Sequence, residues 1–462
     1  MHKNYKLKDI TLDKYQSRAV FCAKNNYLII AGAGSGKTLT IVAKINYLIE
    51  NGVDPKEILC ISFTNETVNS IINSLNKYDI VVDVMTFHKL ALNILPNKYK
   101  IAPQDLLKYT IEEFFQSLIY FDETSLLLKY INDIDNTKKL IYSFIMNMKS
   151  LNIKEDYLYK LIKDNNISKD DKVYLTLILK VYLICEEELR SEFKIDFDDI
   201  INLASERVKY LYKFKYKYII IDEYQDTSIS KYNLIKNIID RFNIRLISVG
   251  DDYQSIYSFT GCKLSLFTKY KKYFKDSKII KLKYTYRNPN DIVQISKRFI
   301  MKNRNQINKR LISNKYLDNS IYVVYSDNEF DRVQEIINSL DHIMIIGRNN
   351  RDIEKYNSIN GVKALTAHKS KGLEEDNVII VNAIDDCLGF PNKIIESRIL
   401  DYIRESDYEE SERRLFYVAL SRCKKRVFIL TEKGKESIYV KELLKEFKYK
   451  IKIVDLEEKI FK

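Results

Sequence analysis

One short segment carries the residue types that bind the phosphates of a nucleotide. Glycines and other small residues run from Ala31 to Gly36, and Lys37 and Thr38 follow directly. Glycines let backbone N–H groups surround phosphate oxygens, while the lysine reaches the terminal phosphates and the hydroxyl holds Mg²⁺. Ala31 replaces the first glycine of the general pattern, and the segment still predicts a nucleotide site. Its candidate residues are Ala31, Gly32, Ala33, Gly34, Ser35, Gly36, Lys37 and Thr38.

Two adjacent carboxylates, Asp222 and Glu223, follow the apolar run Ile219–Ile221. Beside a phosphate loop, Asp222 can hold Mg²⁺, and Glu223 can polarise a water that attacks the terminal phosphate. An Asp-Glu pair after a strand is commonplace when it stands alone. Its pairing with a phosphate loop on one predicted sheet favours hydrolysis over nucleotide binding alone.

The segments that must position these residues alternate between strands and helices. An apolar strand begins at Tyr27, before the glycine-rich turn, and an amphipathic helix follows the turn up to Asn51. From Leu90 to Lys217, long Leu/Ile/Tyr-rich segments with helical spacing predict a helical insertion. Further strands are predicted at 58–63, 80–84, 218–221, 245–249, 321–324, 343–346, 362–365, 377–381 and 426–430. The alternation predicts an α/β fold with parallel sheets.

Composition narrows the class of protein. Lys and Arg number 76 against 63 Asp and Glu, and the net charge of +13 favours a polyanionic partner modestly. An AT-rich genome would explain much of the Lys, Asn, Ile and Tyr. The six dispersed cysteines form no C-x-x-C pair, and no apolar run is long enough to span a membrane. We therefore expect a reduced, cytoplasmic protein that has no membrane partner.

Two further segments specify the kind of nucleotide enzyme: Asp222–Asp226 reads DEYQD and Val249–Tyr257 reads VGDDYQSIY. With them the chain resembles the UvrD/Rep/PcrA-type superfamily 1 DNA helicases, whose motifs follow in the same order from about residue 11 to 430. The other matching segments are LDKYQ (12–16), ISFTN (61–65), TFHKL (86–90), YTYRN (284–288), LTAHKSKGLE (365–374) and RRLFYVALSR (413–422).

The resemblance implies an arrangement of domains. The fold would be α/β, with two RecA-like parallel-sheet motor domains and an α-helical insertion in the first. The expected first motor domain comprises 1–90 and 218–282, the insertion 91–217, and the second motor domain 283–462.

The resemblance also implies roles around the nucleotide. Arg287 and Arg422 would touch the γ-phosphate across the cleft between the motor domains, and Gln254 would sense that phosphate, so that hydrolysis is coupled to closure. The implied catalytic residues are thus Lys37, Glu223, Gln254, Arg287 and Arg422. The further nucleotide contacts implied are Gln16 on the adenine edge, Tyr286 on the adenine face and Glu374 on the ribose.

For DNA, the resemblance implies a groove across both motor domains. Aromatic side chains would stack on bases without regard to sequence, because every base has a π-face. The implied stacking residues are Phe63, Tyr257 and Phe259, and the implied phosphate contacts are Thr86, His88, Thr366, His368 and Ser370.

Three departures from the family pattern bear on these roles. Phe259-Thr260 stands where the family usually has Trp-Arg, so the DNA contact there loses a basic residue. Leu39 stands where the family often has an arginine, so adenine would gain apolar cover without a cation–π contact. Only residues 288–365 separate Arg287 from Thr366, too few for the second helical domain that family members insert.

The leading interpretation is an ATP-driven translocase or helicase on single-stranded DNA or on junctions of single and double strands. ATP and Mg²⁺ would be its cofactors, and the family implies 3′→5′ movement. The alternative is an ATP-dependent DNA-sensing or regulatory subunit that hardly unwinds. The short architecture resembles the helicase-like subunit of Gabija-type anti-phage systems, where a nuclease partner is expected.

Overall fold

The computed structural model describes residues 4–96, 99–120, 133–393, 397–404 and 408–461. Residues 97–98 and 121–132 of the expected helical insertion lie outside the described residues. The described chain contains two six-stranded sheets whose neighbouring strands are parallel, flanked by helices. The α/β class predicted from the sequence, with two parallel-sheet domains, is therefore confirmed.

The first sheet is built from residues on both sides of the helical insertion. The strands of this half are β1 (Lys6–Leu7), β2 (Ile10–Thr11), β3 (Asn26–Ile30), β4 (Ile58–Ser62), β5 (Asp83–Thr86), β6 (Lys100–Ile101), β7 (Lys194–Ile195), β8 (Tyr218–Ile221), β9 (Arg245–Gly250) and β10 (Lys278–Lys281). The sheet has the order β10–β3–β9–β8–β4–β5, and β1 and β2 form a separate antiparallel ribbon.

Helices cover the first sheet and make up the insertion. Those of the sheet are α1 (Lys14–Val20), α2 (Lys37–Glu50), α3 (Asn65–Asn76) and α4 (Phe87–Ile94). The insertion contributes α5 (Leu106–Tyr120), α6 (Ile134–Ser150), α7 (Glu155–Lys163), α8 (Lys169–Ser191) and α9 (Phe197–Arg207). The chain then adds α10 (Ile229–Phe242), α11 (Ser265–Thr268) and α12 (Tyr270–Tyr273). No described helix combines the length and the apolar character needed to cross a membrane.

The strands of the second sheet are β11 (Ile321–Tyr325), β12 (Ile343–Gly347), β13 (Lys363–Thr366), β14 (Glu375–Ile380), β15 (Cys423–Thr431) and β16 (Lys452–Val454). They lie in the order β13–β12–β14–β15–β11–β16. Its helices are α13 (Asn290–Ile300), α14 (Glu329–Ser339), α15 (Asn350–Glu354), α16 (Tyr408–Leu420) and α17 (Ile438–Phe447).

The central strand β8 shows why the carboxylate pair lies where it does. Its residues Ile219–Ile221 are fully buried, because β4 and β9 flank the strand and helices cover both faces of the sheet. Parallel strands buried on both faces have continuous apolar runs of this kind. The ladder continues one residue further, since the N–H of Asp222 donates to the carbonyl of Ile61 at 2.9 Å. Asp222 therefore leaves the sheet at the edge where β3 turns into the glycine-rich loop.

A buried lysine joins three elements of the insertion. Lys149, near the end of α6, is 4% exposed and contacts Glu186 at 2.6 Å, Asp199 at 2.9 Å and also Asp196. The carboxylates come from α8, from α9 and from the residue that caps α9. The excess of negative charge raises the pKa of Lys149 although its burial acts in the opposite direction. The lysine therefore stays charged and ties the three elements together.

The segment 397–404 connects the second half of the chain to the insertion. Arg398 donates to Asp171 of α8 at 2.8 Å, and the hydroxyl of Tyr402 donates to the same carboxylate at 2.8 Å. Ile399 and Leu400 are buried within the apolar core of the insertion. The insertion is thus packed against a segment of the second half of the chain.

We expect Lys149→Met to destabilise the insertion strongly, because it leaves Glu186, Asp196 and Asp199 without their cation. Removing one partner of a buried ion pair lowers the free energy of unfolding by about 3–5 kcal/mol. Chemical denaturation followed by circular dichroism measures this cost. Lys108→Met, which removes a solvent-exposed lysine paired with Asp105 in the same insertion, is the control. Equal losses of unfolding free energy in the two variants would contradict the structural role assigned to Lys149.

Candidate functional site

The glycine-rich loop lies between β3 and α2, and its backbone favours glycine at two positions. Gly34 and Gly36 have φ of +68° and +76°, in the left-handed region. A Cβ on Gly34 would lie 2.4 Å from the Cβ of Arg287, and one on Gly36 would lie 2.6 Å from the amide nitrogen of Gln16. Backbone conformation therefore favours glycine at both positions, and at Gly34 the Cβ of Arg287 also leaves no room for a side chain.

The start of the second α/β unit closes directly on this loop. The hydroxyl of Thr285 donates to the carbonyl of Ala33 at 2.7 Å, and the N–H of Tyr286 donates to the carbonyl of Gly34 at 2.8 Å. Through these bonds, Arg287 comes to lie against the loop. The two units thus meet at a cleft that has the glycine-rich loop on one wall.

A cavity of about 320 Å³ opens at this cleft, and both units line it. Its lining residues are Gly34, Ser35, Gly36, Lys37, Thr38, Leu39, Tyr286, Arg287, Lys315, Glu374 and Lys424. Four of these side chains are cationic and one is anionic, a balance that suits a polyphosphate. The buried hydroxyl of Ser35 has no hydrogen-bond partner within the described chain, as expected if a ligand supplies it. Thr38 and Asp222 offer the oxygen donors that Mg²⁺ prefers. The residues present therefore fit a nucleotide with its metal.

The charges of the carboxylate pair differ. Burial and the neighbouring Glu223 raise the pKa of Asp222. Burial also acts to raise the pKa of Glu223, but Lys37 and Lys371 outweigh it and lower that pKa. The Nζ of Lys37 lies 3.0 Å from Glu223 Oε1. Glu223 is therefore a carboxylate at neutral pH, the form that a general base requires.

Arg422 and Gln254 meet at the base of the cleft. Arg422 is fully buried, and its Nη2 donates to Gln254 Oε1 at 2.9 Å. Burial, with the nearby charge of Arg287, lowers the pKa of Arg422 to about 9, so the guanidinium remains charged at neutral pH. A poorly solvated cation of this kind is available to stabilise added negative charge.

The residues implied for the base and sugar already have partners on the protein. The amide of Gln16 donates to the carbonyl of Ser35 at 3.1 Å and accepts from the N–H of Asp13 at 3.1 Å. The ring of Tyr286 is half exposed and lines the cavity, with its hydroxyl on Asp13 at 2.8 Å. Glu374 accepts from Arg287 at 2.7 Å and lies 3.2 Å from the Nζ of Lys424. Gln16 thus supports the loop, and Glu374 bridges two cations of the second unit.

A first aromatic cluster lies at the carboxyl ends of β4 and β5. The rings of Phe63 and Phe87 are 5.3 Å apart, and His88 lies 5.5 Å from Phe197 of the insertion. The Nζ of Lys231 lies 4.6 Å from the ring centre of Phe63. Two of the implied DNA contacts, Phe63 and His88, therefore share one neighbourhood with a lysine and with the insertion.

A second aromatic cluster joins the two units. Phe259 is 45% exposed, and its ring lies 5.5 Å from that of His368 and 6.0 Å from that of Tyr257. The Nζ of Lys371 lies 4.7 Å from the ring centre of Tyr257 and also pairs with Asp226. The three implied contacts Tyr257, Phe259 and His368 are thus brought together, although His368 follows them by more than a hundred residues.

The phosphate contacts implied by the sequence comprise two histidines and three residues with hydroxyl groups. Burial lowers the pKa of His88 and of His368 to about 4, assisted by the charges of Lys231 and Arg348. Both rings are therefore neutral at pH 7 and can meet a phosphate only by hydrogen bonding. The hydroxyls of Thr86 and Thr366 cap turns by accepting from the N–H groups of Lys89 and Lys369 at 3.3 and 3.4 Å. Ser370 is fully buried and donates to the carbonyl of Ala367 at 2.8 Å, so this hydroxyl is not presented to a phosphate.

Four lysines around the site carry no role in the sequence analysis. Lys315 and Lys424 line the nucleotide cavity, and Lys231 and Lys371 lie over the aromatic clusters. Lys371 stands inside the LTAHKSKGLE segment, so its position in a motif could have drawn attention to it. The other three lie outside every matched segment, and lysine is too abundant in this chain for its presence to indicate a site.

Most of the chain is similar to known proteins. Residues 12–275 match the UvrD/REP helicase N-terminal domain, and residues 343–434 match the UvrD-like helicase C-terminal domain. The "ATP-dependent DNA helicase Rep" of Buchnera aphidicola subsp. Schizaphis graminum is 31% identical over 353 residues, covering 72% of this chain and 51% of that protein. The "DNA helicase IV" of Escherichia coli K12 is 27% identical over 493 residues, covering 94% and 70%.

The "ATP-dependent DNA helicase PcrA" of Leuconostoc citreum is 27% identical over 346 residues, covering 72% of this chain and 44% of that protein. The chain thus spans about half the length of these Rep and PcrA relatives. The match to the N-terminal domain alone extends over more than half of the chain, and the C-terminal match follows it in the expected order. The chain therefore belongs to the UvrD/REP helicase family.

Proposed function

We propose that this chain is an ATP-driven translocase or helicase on single-stranded DNA or on junctions of single and double strands, moving 3′→5′ like the family it resembles. The short segment 254–259 carries the proposal. It begins at Gln254, which contacts Arg422 in the nucleotide cleft, and ends at Phe259, which is exposed beside His368. A change at the nucleotide can therefore reach a DNA-stacking side chain within six residues.

The side chains of the cleft divide the work of hydrolysis. Thr38 and Asp222 would hold Mg²⁺, which supplies charge neutralisation on the phosphates when it is bound. Glu223 takes a proton from the attacking water. Lys37, Arg287 and Arg422 stabilise the negative charge that develops in the transition state. Because Arg287 and Arg422 belong to the second unit, they act only when the cleft is closed, which couples hydrolysis to domain motion.

The domain division expected from the sequence is part of the proposal. Residues 1–90 and 218–282 would form the first motor domain, 91–217 the insertion and 283–462 the second motor domain. The pairing of β10 with β3 supports the boundary near 282, since β10 still belongs to the first sheet.

Translocation and strand displacement on tailed duplexes test the function directly. Wild-type protein is expected to hydrolyse ATP faster with single-stranded DNA and to displace the strand of a 3′-tailed duplex. ATP hydrolysis that ignores DNA would contradict the proposal. DNA-stimulated hydrolysis without movement would favour the sensing role instead. The nuclease partner stays a prediction, because the relatives named above are helicases.

Glu223→Gln should abolish turnover and keep binding. The amide cannot accept the proton of the attacking water, so kcat for ATP is expected to fall by about 10²–10⁴-fold. Affinity for a fluorescent ATP analogue and for DNA should change little, because the side chain keeps its size. Steady-state hydrolysis and anisotropy titrations measure the two effects. Glu192→Gln, in a partly exposed residue of the insertion, is the control and should retain full turnover.

Phe259→Ala should weaken binding of single-stranded DNA by about 1–3 kcal/mol, because one stacking surface is lost. The loss should be similar for different base sequences, since stacking does not read hydrogen-bonding edges. Fluorescence anisotropy with labelled oligonucleotides at fixed salt measures it. Tyr449→Ala removes an exposed aromatic ring outside the two clusters and should leave the affinity unchanged. Equal losses in both variants would exclude Phe259 as a specific platform.

The neutral histidines of the two clusters predict how stability depends on pH. The unfolded chain takes up protons at His88 and His368 below an ordinary histidine pKa of about 6.5, whereas the folded chain does so only near pH 4. Their contribution to stability is therefore complete above pH 6.5 and is lost as the pH falls toward 4, by up to about 3 kcal/mol for each ring.

The double variant His88→Gln/His368→Gln isolates this contribution. Urea denaturation at about pH 7.5 and pH 5 should show a smaller loss of unfolding free energy in the variant than in the wild type. An equal loss in both proteins would mean that the folded rings titrate like those of the unfolded chain and are not held neutral by burial.

A further inference from the structure

A buried ion cluster lies behind the nucleotide cleft, outside the roles assigned above. Lys309, in the loop between α13 and β11, is 1% exposed and pairs with Asp251 and Asp252, which are both 0% exposed. Its Nζ lies 2.7 Å from Asp252 Oδ1, contacts Asp251 Oδ1 and lies 3.5 Å from the ring centre of Tyr253. The lysine comes from the second α/β unit and the carboxylates follow β9 of the first, so the cluster forms across the two units.

A chain of hydrogen bonds leads from this cluster to the cleft. Asp251 Oδ1 accepts from Lys309 and from the N–H of Tyr253 at 3.2 Å. Asp251 Oδ2 accepts from Gln254 Nε2 at 2.7 Å. Gln254 Oε1 in turn accepts from Arg422 Nη2 at 2.9 Å. The four side chains are thus linked in the order Lys309, Asp251, Gln254 and Arg422.

The chemistry of the links fixes the orientation of one amide. A glutamine side chain has a donor end and an acceptor end, and rotation by half a turn exchanges them. A carboxylate only accepts and a guanidinium only donates. Gln254, placed between Asp251 and Arg422, therefore has one satisfied orientation, with its nitrogen toward the carboxylate and its oxygen toward the arginine.

We propose that Lys309 and Asp251 are positioning residues that lock the amide of Gln254 and thereby keep its carbonyl on Arg422. This inference rests on the proposed function, because it concerns the group that senses the γ-phosphate. Lys309 makes the lock depend on how the two units are arranged. Opening of the cleft would withdraw Lys309 from Asp251, release the amide and free Arg422. The sensor is then ordered only in the closed arrangement that hydrolysis needs.

The two aspartates supply a matched pair of variants. Asp251→Asn and Asp252→Asn each remove one carboxylate from Lys309 at a fully buried position, so their costs in stability should be similar. Only Asp251 contacts Gln254. In Asp251→Asn the amide oxygen must face Lys309 and the N–H of Tyr253, which turns its nitrogen toward the nitrogen of Gln254. The side-chain amide of Gln254 must then rotate, so that its nitrogen, a donor, faces the donor groups of Arg422.

We expect Asp251→Asn to lower kcat of DNA-stimulated ATP hydrolysis at least about tenfold, while KM for ATP changes less than about threefold. Asp252→Asn should keep kcat within about threefold of the wild type. Thermal unfolding of both variants verifies the matched stability. Equal effects on kcat, or an unchanged kcat in Asp251→Asn, would overturn the positioning role. Absence of ATP hydrolysis in the wild type would instead overturn the proposed function.

A charge-conserving exchange keeps the test decisive even if Asp251→Asn does not fold. In Asp251→Asn/Gln254→Glu the new asparagine nitrogen donates to the new glutamate, which also accepts from Arg422. Every link is then satisfied again, whereas each single variant places two donors or two carboxylates face to face. The unfolding midpoint of the double variant should lie above those of both single variants. A double variant whose unfolding midpoint does not exceed that of the more stable single variant would show that the links do not set the amide.

Discussion

The close approach of the second α/β unit to the glycine-rich loop is the constraint on which the site depends. The N–H of Tyr286 donates to the carbonyl of Gly34, and a Cβ at Gly34 would overlap the Cβ of Arg287. Only glycine permits this spacing. The same contact that shapes the phosphate loop therefore places an arginine of the other unit beside it. Under the proposed function, closure of the cleft and completion of the proposed catalytic set are one geometric event, through which hydrolysis would be coupled to motion.

The segment 254–259 extends from the cleft to the exposed Phe259, and the helical insertion contacts its far end. The amide of Asn147 donates to the carbonyl of Phe259 at 3.1 Å, and the hydroxyl of Ser150 donates to that of Thr260 at 3.0 Å. Both residues lie in the last turn of α6, next to Lys149 with its three carboxylates. The buried charge cluster of the insertion thus fixes the helix end that supports the exposed ring of Phe259.

The sequence predicted best what local patterns encode. The strand β3, the glycine-rich turn and α2 are contiguous, and Tyr257 and Phe259 lie in one motif. Contacts between distant segments were less accessible: the burial of Ser370, the use of the Gln16 amide within the protein and the role of Lys309 all depend on packing. Lys309 lies in a loop that matches no motif, and only the approach of that loop to β9 gives it partners. A lysine in so basic a chain carries no signal until its neighbours are known.

The connection from the second unit to the insertion has a polar and an apolar part. Arg398 is 69% exposed, so its ion pair with Asp171 is screened and contributes little. Ile399 and Leu400 are buried in the insertion core, and each contributes about 1.5–3 kcal/mol by leaving water. The hydroxyl of Tyr402 adds an oriented hydrogen bond to the buried Asp171 at 2.8 Å, so the attachment combines apolar burial with a directional contact. Because buried side chains are close-packed, such a contact holds the segment 397–404 in one position on the insertion. The insertion is therefore fixed both to this segment and to the 259–260 backbone.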